Sequence, residues 1–133
     1  MRSHPRQLVV DASSMTALLL DAEAGEPELV SGSQLIAPSV LPYEVANVLR
    51  RLTLAGRLTA AEADQAFDDF TALAVDLWDW AAIAASAWSL RANLSSYDAA
   101  YVALAELVDA TLVTRDGRLA RAPGLGCPVE LFD

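Results

Sequence analysis

The chain contains no lysine; all nine basic residues are arginine, set against 18 acidic residues for a formal net charge of −9. It has one cysteine, Cys127, and one histidine, His4. A single cysteine rules out an internal disulfide and points to a reducing, cytoplasmic setting. His4 lies in a terminal segment expected to fray, so a two-histidine acid–base ribonuclease is excluded. Cys127 follows Gly-Leu-Gly with no histidine nearby, which favours an inert structural thiol over a nucleophile. No P-loop or GxGxxG occurs, so nucleotide use is not indicated. The missing lysine also argues against a phosphoacceptor receiver domain, and Ser13 stands where a haloacid-dehalogenase-like phosphatase would need a second Asp. Long apolar runs are absent too. Leu8–Val10 is short and meets Asp11, while Phe70–Trp88 carries Asp76 and Asp79, so neither suits a membrane.

What is present is ample apolar material. A hydrophobic fraction of 54% over 133 residues suffices for one core, and a single domain over residues 1–133 is expected. Strands are expected at Gln7–Val10, Leu35–Ala37 (halted by Pro38), Val75–Trp78, Ala110–Thr114 and Val129–Phe132. Helices are expected over Ser13–Ala22, Glu26–Ser31, Ser39–Leu54, Thr59–Leu73, Trp80–Asn93 and Tyr97–Val108, with a short one after Asp116-Gly117. Thr59 with Glu62 reads as a capping box, and Ser95 as the cap of its helix. Pro42 is tolerable in a first turn. Strands alternating with helices imply an α/β fold of three layers, α/β/α, around a mostly parallel sheet. Trp78, Trp80 and Trp88 read as core rather than as a base-stacking platform.

In such sheets ligands bind beyond the carboxyl ends of the strands. Asp11 closes the first strand, Asp116 follows the fourth, Glu44 lies in the helix after the second, and Asp98 stands three residues past Ser95. Each has an ordinary alternative. Asp11 and Asp98 suit a helix N-terminus, Asp116-Gly117 suits a turn, and Glu44 suits a solvated helix face. Glu44 resists its alternative, because Tyr43, Val45, Ala46, Val48 and Leu49 suggest a largely buried helix, with Asn47 on the same face as support. Converging carboxylates must share protons or bind cations. No arginine stands beside Asp11 or Asp98 in sequence to neutralise them. An oxygen-only ligand set selects Mg²⁺, Mn²⁺ or Ca²⁺ over Zn²⁺.

An acidic chain repels RNA at long range. Six arginines soften this by falling in two groups: Arg50, Arg51 and Arg57, then Arg115, Arg118 and Arg121. Arginine grips phosphate in a planar fork, although a GC-rich coding composition would also give arginine without lysine.

Taken in order, Asp11-Ala-Ser13, Glu44-Val-Ala-Asn47-Val-Leu-Arg50, Ser96-Tyr-Asp98-Ala-Ala-Tyr-Val-Ala-Leu-Ala105, and Thr114-Arg-Asp116 with Leu119 resemble the PIN domain. Within that family the set resembles the VapC toxins of type II toxin–antitoxin pairs, over Leu8 to Phe132. The resemblance implies a metal-dependent endoribonuclease using Mg²⁺ or Mn²⁺, an RNA substrate, a VapB-like antitoxin and a homodimer. Carried over by motif, Asp11, Glu44, Asp98 and Asp116 would be the metal and catalytic acids, with Ser13 and Thr114 supporting them. Gly117 and Arg118 depart from members that carry a further acid or Asn there, which bears on a second metal position. Arg115 and Arg118, beside Asp116, would hold RNA phosphates or lie as solvated surface charges. A PIN nuclease of RNA processing or DNA, and a silent binding module keeping the same acids, are the alternatives.

Overall fold

A computed structural model of the chain describes residues 6–21 and 32–132. Among them are five strands, β1 (Gln7–Val10), β2 (Gln34–Pro38), β3 (Val75–Trp78), β4 (Thr111–Thr114) and β5 (Val129–Leu131). Six helices accompany them: α1 (Ala12–Leu20), α2 (Leu41–Leu54), α3 (Ala60–Ala72), α4 (Trp80–Ser89), α5 (Ser96–Val108) and α6 (Gly117–Ala120). The helix expected over Glu26–Ser31 lies outside the described residues.

The strands form one sheet in the order β3-β2-β1-β4-β5, and every pairing is parallel. A parallel sheet is buried on both faces, so its inner strands are apolar without alternation. Leu8, Val9 and Val10 in β1, Ile36 and Ala37 in β2, and Leu112 and Val113 in β4 are all buried. One helical layer is α5 with α4 packed on it; α1, α2 and α3 pack together as the other. The α/β/α expectation is borne out. The chain runs from β1 outward through β2 to β3, then returns across β1 to β4. In sheets of this kind, ligands bind at such a reversal, here between the carboxyl ends of β1 and β4.

Local chemistry explains most boundaries. Thr59 and Glu62 form the capping box of α3, and Ser95 accepts from the Asp98 amide at the start of α5. Gly56, at φ +74°, takes the left-handed conformation that ends α2. Three expectations are corrected. Ser39 does not open α2, which starts at Leu41 with no side-chain cap, because the Ser39 amide donates to the Trp78 carbonyl and stays with the sheet. Pro38 ends β2 from within, paired with Trp78, at a position where a missing N–H is harmless. The helix expected over Trp80–Asn93 stops at Ser89, where Arg91 and Asn93 bond three residues back and tighten the chain into a turn.

The tryptophan reading is also corrected. Trp78 is half-buried against the core, but Trp80 and Trp88 are 50% and 61% exposed, and Arg91 stacks over Trp88. Their apolar neighbours in α4 are largely alanines, and of that helix only Ile83 and Ala87 are buried.

Candidate active site at the carboxyl rim of the sheet

The register of the two central strands builds the rim. Val10 pairs with Val113, so the next residues, Asp11 and Thr114, stand side by side where the strands end. Both are buried. The Thr114 hydroxyl donates to Asp11 Oδ2 and accepts from the Asp116 amide at 3.0 Å. One hydroxyl thus ties the first acid to the backbone of the fourth.

Asp11 Oδ1 accepts from the Ser13 hydroxyl at 2.7 Å and from the Ser14 amide at 2.9 Å. The carboxylate therefore caps α1 and belongs to the rim at once. Ser13 Oγ also accepts from the Arg115 amide at 2.9 Å, linking the start of α1 to the loop after β4. Ser13 and Thr114 each have one hydroxyl proton, already given to Asp11, so their 3.3 Å approach is a contact and not a further bond. By the same accounting, Asp11 Oδ1 is filled, and Oδ2 keeps one lone pair.

Asp98 and Asp116 are brought together by Arg118, expected beside Asp116 only as a phosphate contact or a solvated charge. Arg118 Nη2 lies 3.1 Å from Asp98 Oδ2 and 2.9 Å from Asp116 Oδ2. Asp116 Oδ1 meanwhile accepts from the Arg118 and Leu119 amides and so caps α6. The hydrogen bond to Asp98, then the charges of both acids, raise the Arg118 pKa, keeping it a fixed cation. No arginine neighbours Asp98 in sequence, yet Arg118, twenty residues on, pairs with it in space.

Glu44 enters from α2. That helix is not largely buried; Val45 and Leu49 face the core, whereas Tyr43, Ala46 and Asn47 are exposed and Glu44 lies between. Its partner is Tyr101 of α5, whose buried hydroxyl donates to Glu44 Oε1 at 2.5 Å. Desolvation raises the Glu44 pKa, the Tyr101 hydrogen bond partly opposes this, and the charges of Asp11 and Asp98 raise it further. Burial, then the bond to Glu44, raise Tyr101 far above the usual phenol range, so it stays a donor. Asn47 lines an open cavity with Glu44. Tyr101 and Ser14 escaped the sequence reading. Tyr101 falls three residues after Asp98, one helical turn on, a spacing that could have marked it.

As they stand, no three Asp, Glu, His or Cys side chains among the described residues are close enough together to hold a metal ion. The Arg118 guanidinium supplies the positive charge between Asp98 and Asp116 instead. The donors nevertheless fit Mg²⁺ or Mn²⁺ in kind: they are all oxygen, and at least one Asp11 lone pair is free for a ligand. Cys127, away from this network, has its thiol pushed up to about 11 by burial and then by Glu106, as expected of an inert thiol.

A parallel sheet ordered β3-β2-β1-β4-β5 with helices on both faces is of the doubly wound α/β class, whose ligands bind at the switch point where these acids stand. The PIN domain family model matches residues 8–125, a span that contains all four acids. Among curated relatives, the VapC ribonuclease Mb0985 of Mycobacterium bovis is 41% identical over 125 residues, covering 93% of this chain and 97% of that protein. Ribonuclease VapC1 of Mycobacterium tuberculosis is 37% identical, covering 94% of this chain and 97% of its own. Among solved structures, VapBC2 from Rickettsia felis bound to a DNA fragment from their promoter superposes with a TM-score of 0.67 at 15% identity, covering 96% of this chain and 99% of that one. The chain belongs to the PIN domain family.

Proposed function

We propose that this chain is a VapC-type endoribonuclease, the toxin of a toxin–antitoxin pair, cutting RNA with Mg²⁺ or Mn²⁺ at the β1–β4 rim. One observation carries the reading: the span matched by the family, which relatives named VapC ribonucleases share, contains Asp11, Glu44, Asp98 and Asp116. Asp11, Asp98 and Asp116 would hold the ion, and Ser13 and Thr114 keep Asp11 aimed by donating to both of its oxygens. A bound divalent ion supplies charge for the phosphate and lowers the pKa of a coordinated water. Glu44 is held by Tyr101 through Oε1 alone, which leaves Oε2 to orient the attacking water and take its proton. Its raised pKa makes it a stronger base than an ordinary carboxylate. Asn47 beside it is a polar support on the same cavity wall.

Arg115 and Arg118 stand beside Asp116 at the mouth of the rim, where a phosphate would arrive. Arg118 can offer its guanidinium to phosphate only after leaving the two carboxylates. The Rickettsia felis complex and the relatives' names support a VapB-like antitoxin as partner, and the cytoplasm, where its RNA lies, as the setting. No described helix is long and apolar enough to cross a membrane. A homodimer would cover the exposed rings of Trp80 and Trp88.

The decisive experiment incubates total cellular RNA with the purified, antitoxin-free chain in Mg²⁺ or Mn²⁺, against EDTA and against Asp98→Asn. Discrete fragments are expected with metal, and their loss in both controls. A folded chain that cuts nothing under either metal would favour a silent binding module. Cutting that survives both controls would exclude the metal-dependent mechanism.

A further inference from the structure

Two tyrosines flank the acidic rim on its Glu44 side. Tyr43 immediately precedes Glu44 on α2, and Tyr97 immediately precedes Asp98 on α5. They are 78% and 62% exposed, unlike the buried Tyr101 one turn further along α5. Both line a single open cavity of about 630 Å³, together with Val40, Glu44 and Asn47. Two large rings therefore face each other's cavity from separate helices, each beside an acid of the site. Leaving them in water forgoes the stabilisation that burying a ring gives. Nothing in the core requires them there.

The substrate supplies a reason. A chain of net charge −9 without lysine gains little long-range attraction for a polyanion. Stacking on aromatic rings is a grip that does not depend on charge and accepts any base through its π-face. Sequence-specific RNA recognition targets unpaired bases that can be splayed out and stacked in this way. We propose that Tyr43 and Tyr97 form a stacking clamp that holds an unpaired base of the RNA beside the scissile phosphate. This rests on the ribonuclease reading. The clamp adds a hold on the base to the phosphate contacts of Arg115 and Arg118, and it favours RNA whose bases are unpaired.

The test uses an RNA oligonucleotide carrying a cleavage site mapped in the total-RNA experiment, with kinetics measured in Mn²⁺ for the full chain. Tyr43→Ala and Tyr97→Ala are each expected to raise KM about tenfold while kcat changes little, since a uniform binding contribution is lost. The Phe variants, which keep the ring, should restore the parent KM. Replacing one base near the cut by an abasic nucleotide should raise KM similarly, and the Ala variants should add little to that loss. Parent-like KM in both Ala variants, or failure of Phe to rescue, would overturn the clamp while leaving the ribonuclease intact. Absence of any cleavage by the parent would instead remove the ribonuclease reading, and the clamp with it.

Discussion

Arg118 stands two residues from Asp116 and twenty from Asp98, yet its guanidinium reaches both carboxylates. It is the internal competitor of any cation that binds there, because a divalent ion and a guanidinium seek the same oxygens. Arg118→Ala is therefore expected to bind Mn²⁺ several-fold more tightly than the parent in calorimetry, and Asp98→Asn more weakly. An unchanged Mn²⁺ affinity in Arg118→Ala would mean that the guanidinium does not oppose the ion. Glu44 acts in the opposite direction. Its pKa is raised, so its contribution to the stability of the metal-free fold is full below its ordinary value of 4.5 and is lost as pH rises through the raised value. Where Glu44 is ionised it weakens that fold, and a bound cation would offset the cost.

At the scale of elements, α4 and β3 form the least buried flank of the sheet. β3 is an edge strand with Asp76 and Leu77 exposed, and α4 presents Trp80 and Trp88 to solvent. A homodimer contact of the kind proposed would cover these rings. The isolated chain is expected to sediment as a dimer, with Trp80→Arg and Trp88→Glu shifting it toward monomer. A parent that sediments only as monomer would remove this assignment. Helix and strand types were legible along the chain because caps, prolines and apolar runs are local signals. Which side of each helix met the core was not. The residues around Glu44 are apolar on both sides, and only the packing of α2 on α1 and α3 turned Val45 and Leu49 inward and Tyr43 outward.

For the whole molecule, net charge sets the company it keeps. A charge of −9 favours a basic partner and disfavours indiscriminate RNA binding. Association with a basic antitoxin is expected to slow on the order of tenfold from low to physiological salt, as screening shortens the reach of that field. Stopped-flow association rates that do not change with salt would show that charge does not steer this encounter.

The order of the described elements and the parallel α/β class were determined by sequence alone, and the four acids were put forward from it. Each rests on neighbours within a few residues: Asp11 after an apolar run, Asp98 after a serine cap, Asp116 at a turn. Tertiary structure decided how those acids are held. The β1–β4 register set Thr114 against Asp11, a helix packed across the sheet delivered Tyr101 to Glu44, and the loop after β4 swung Arg118 onto Asp98. Such partners lie 20 to 103 residues apart, and local pattern carries no information on which distant side chain will satisfy a half-buried charge.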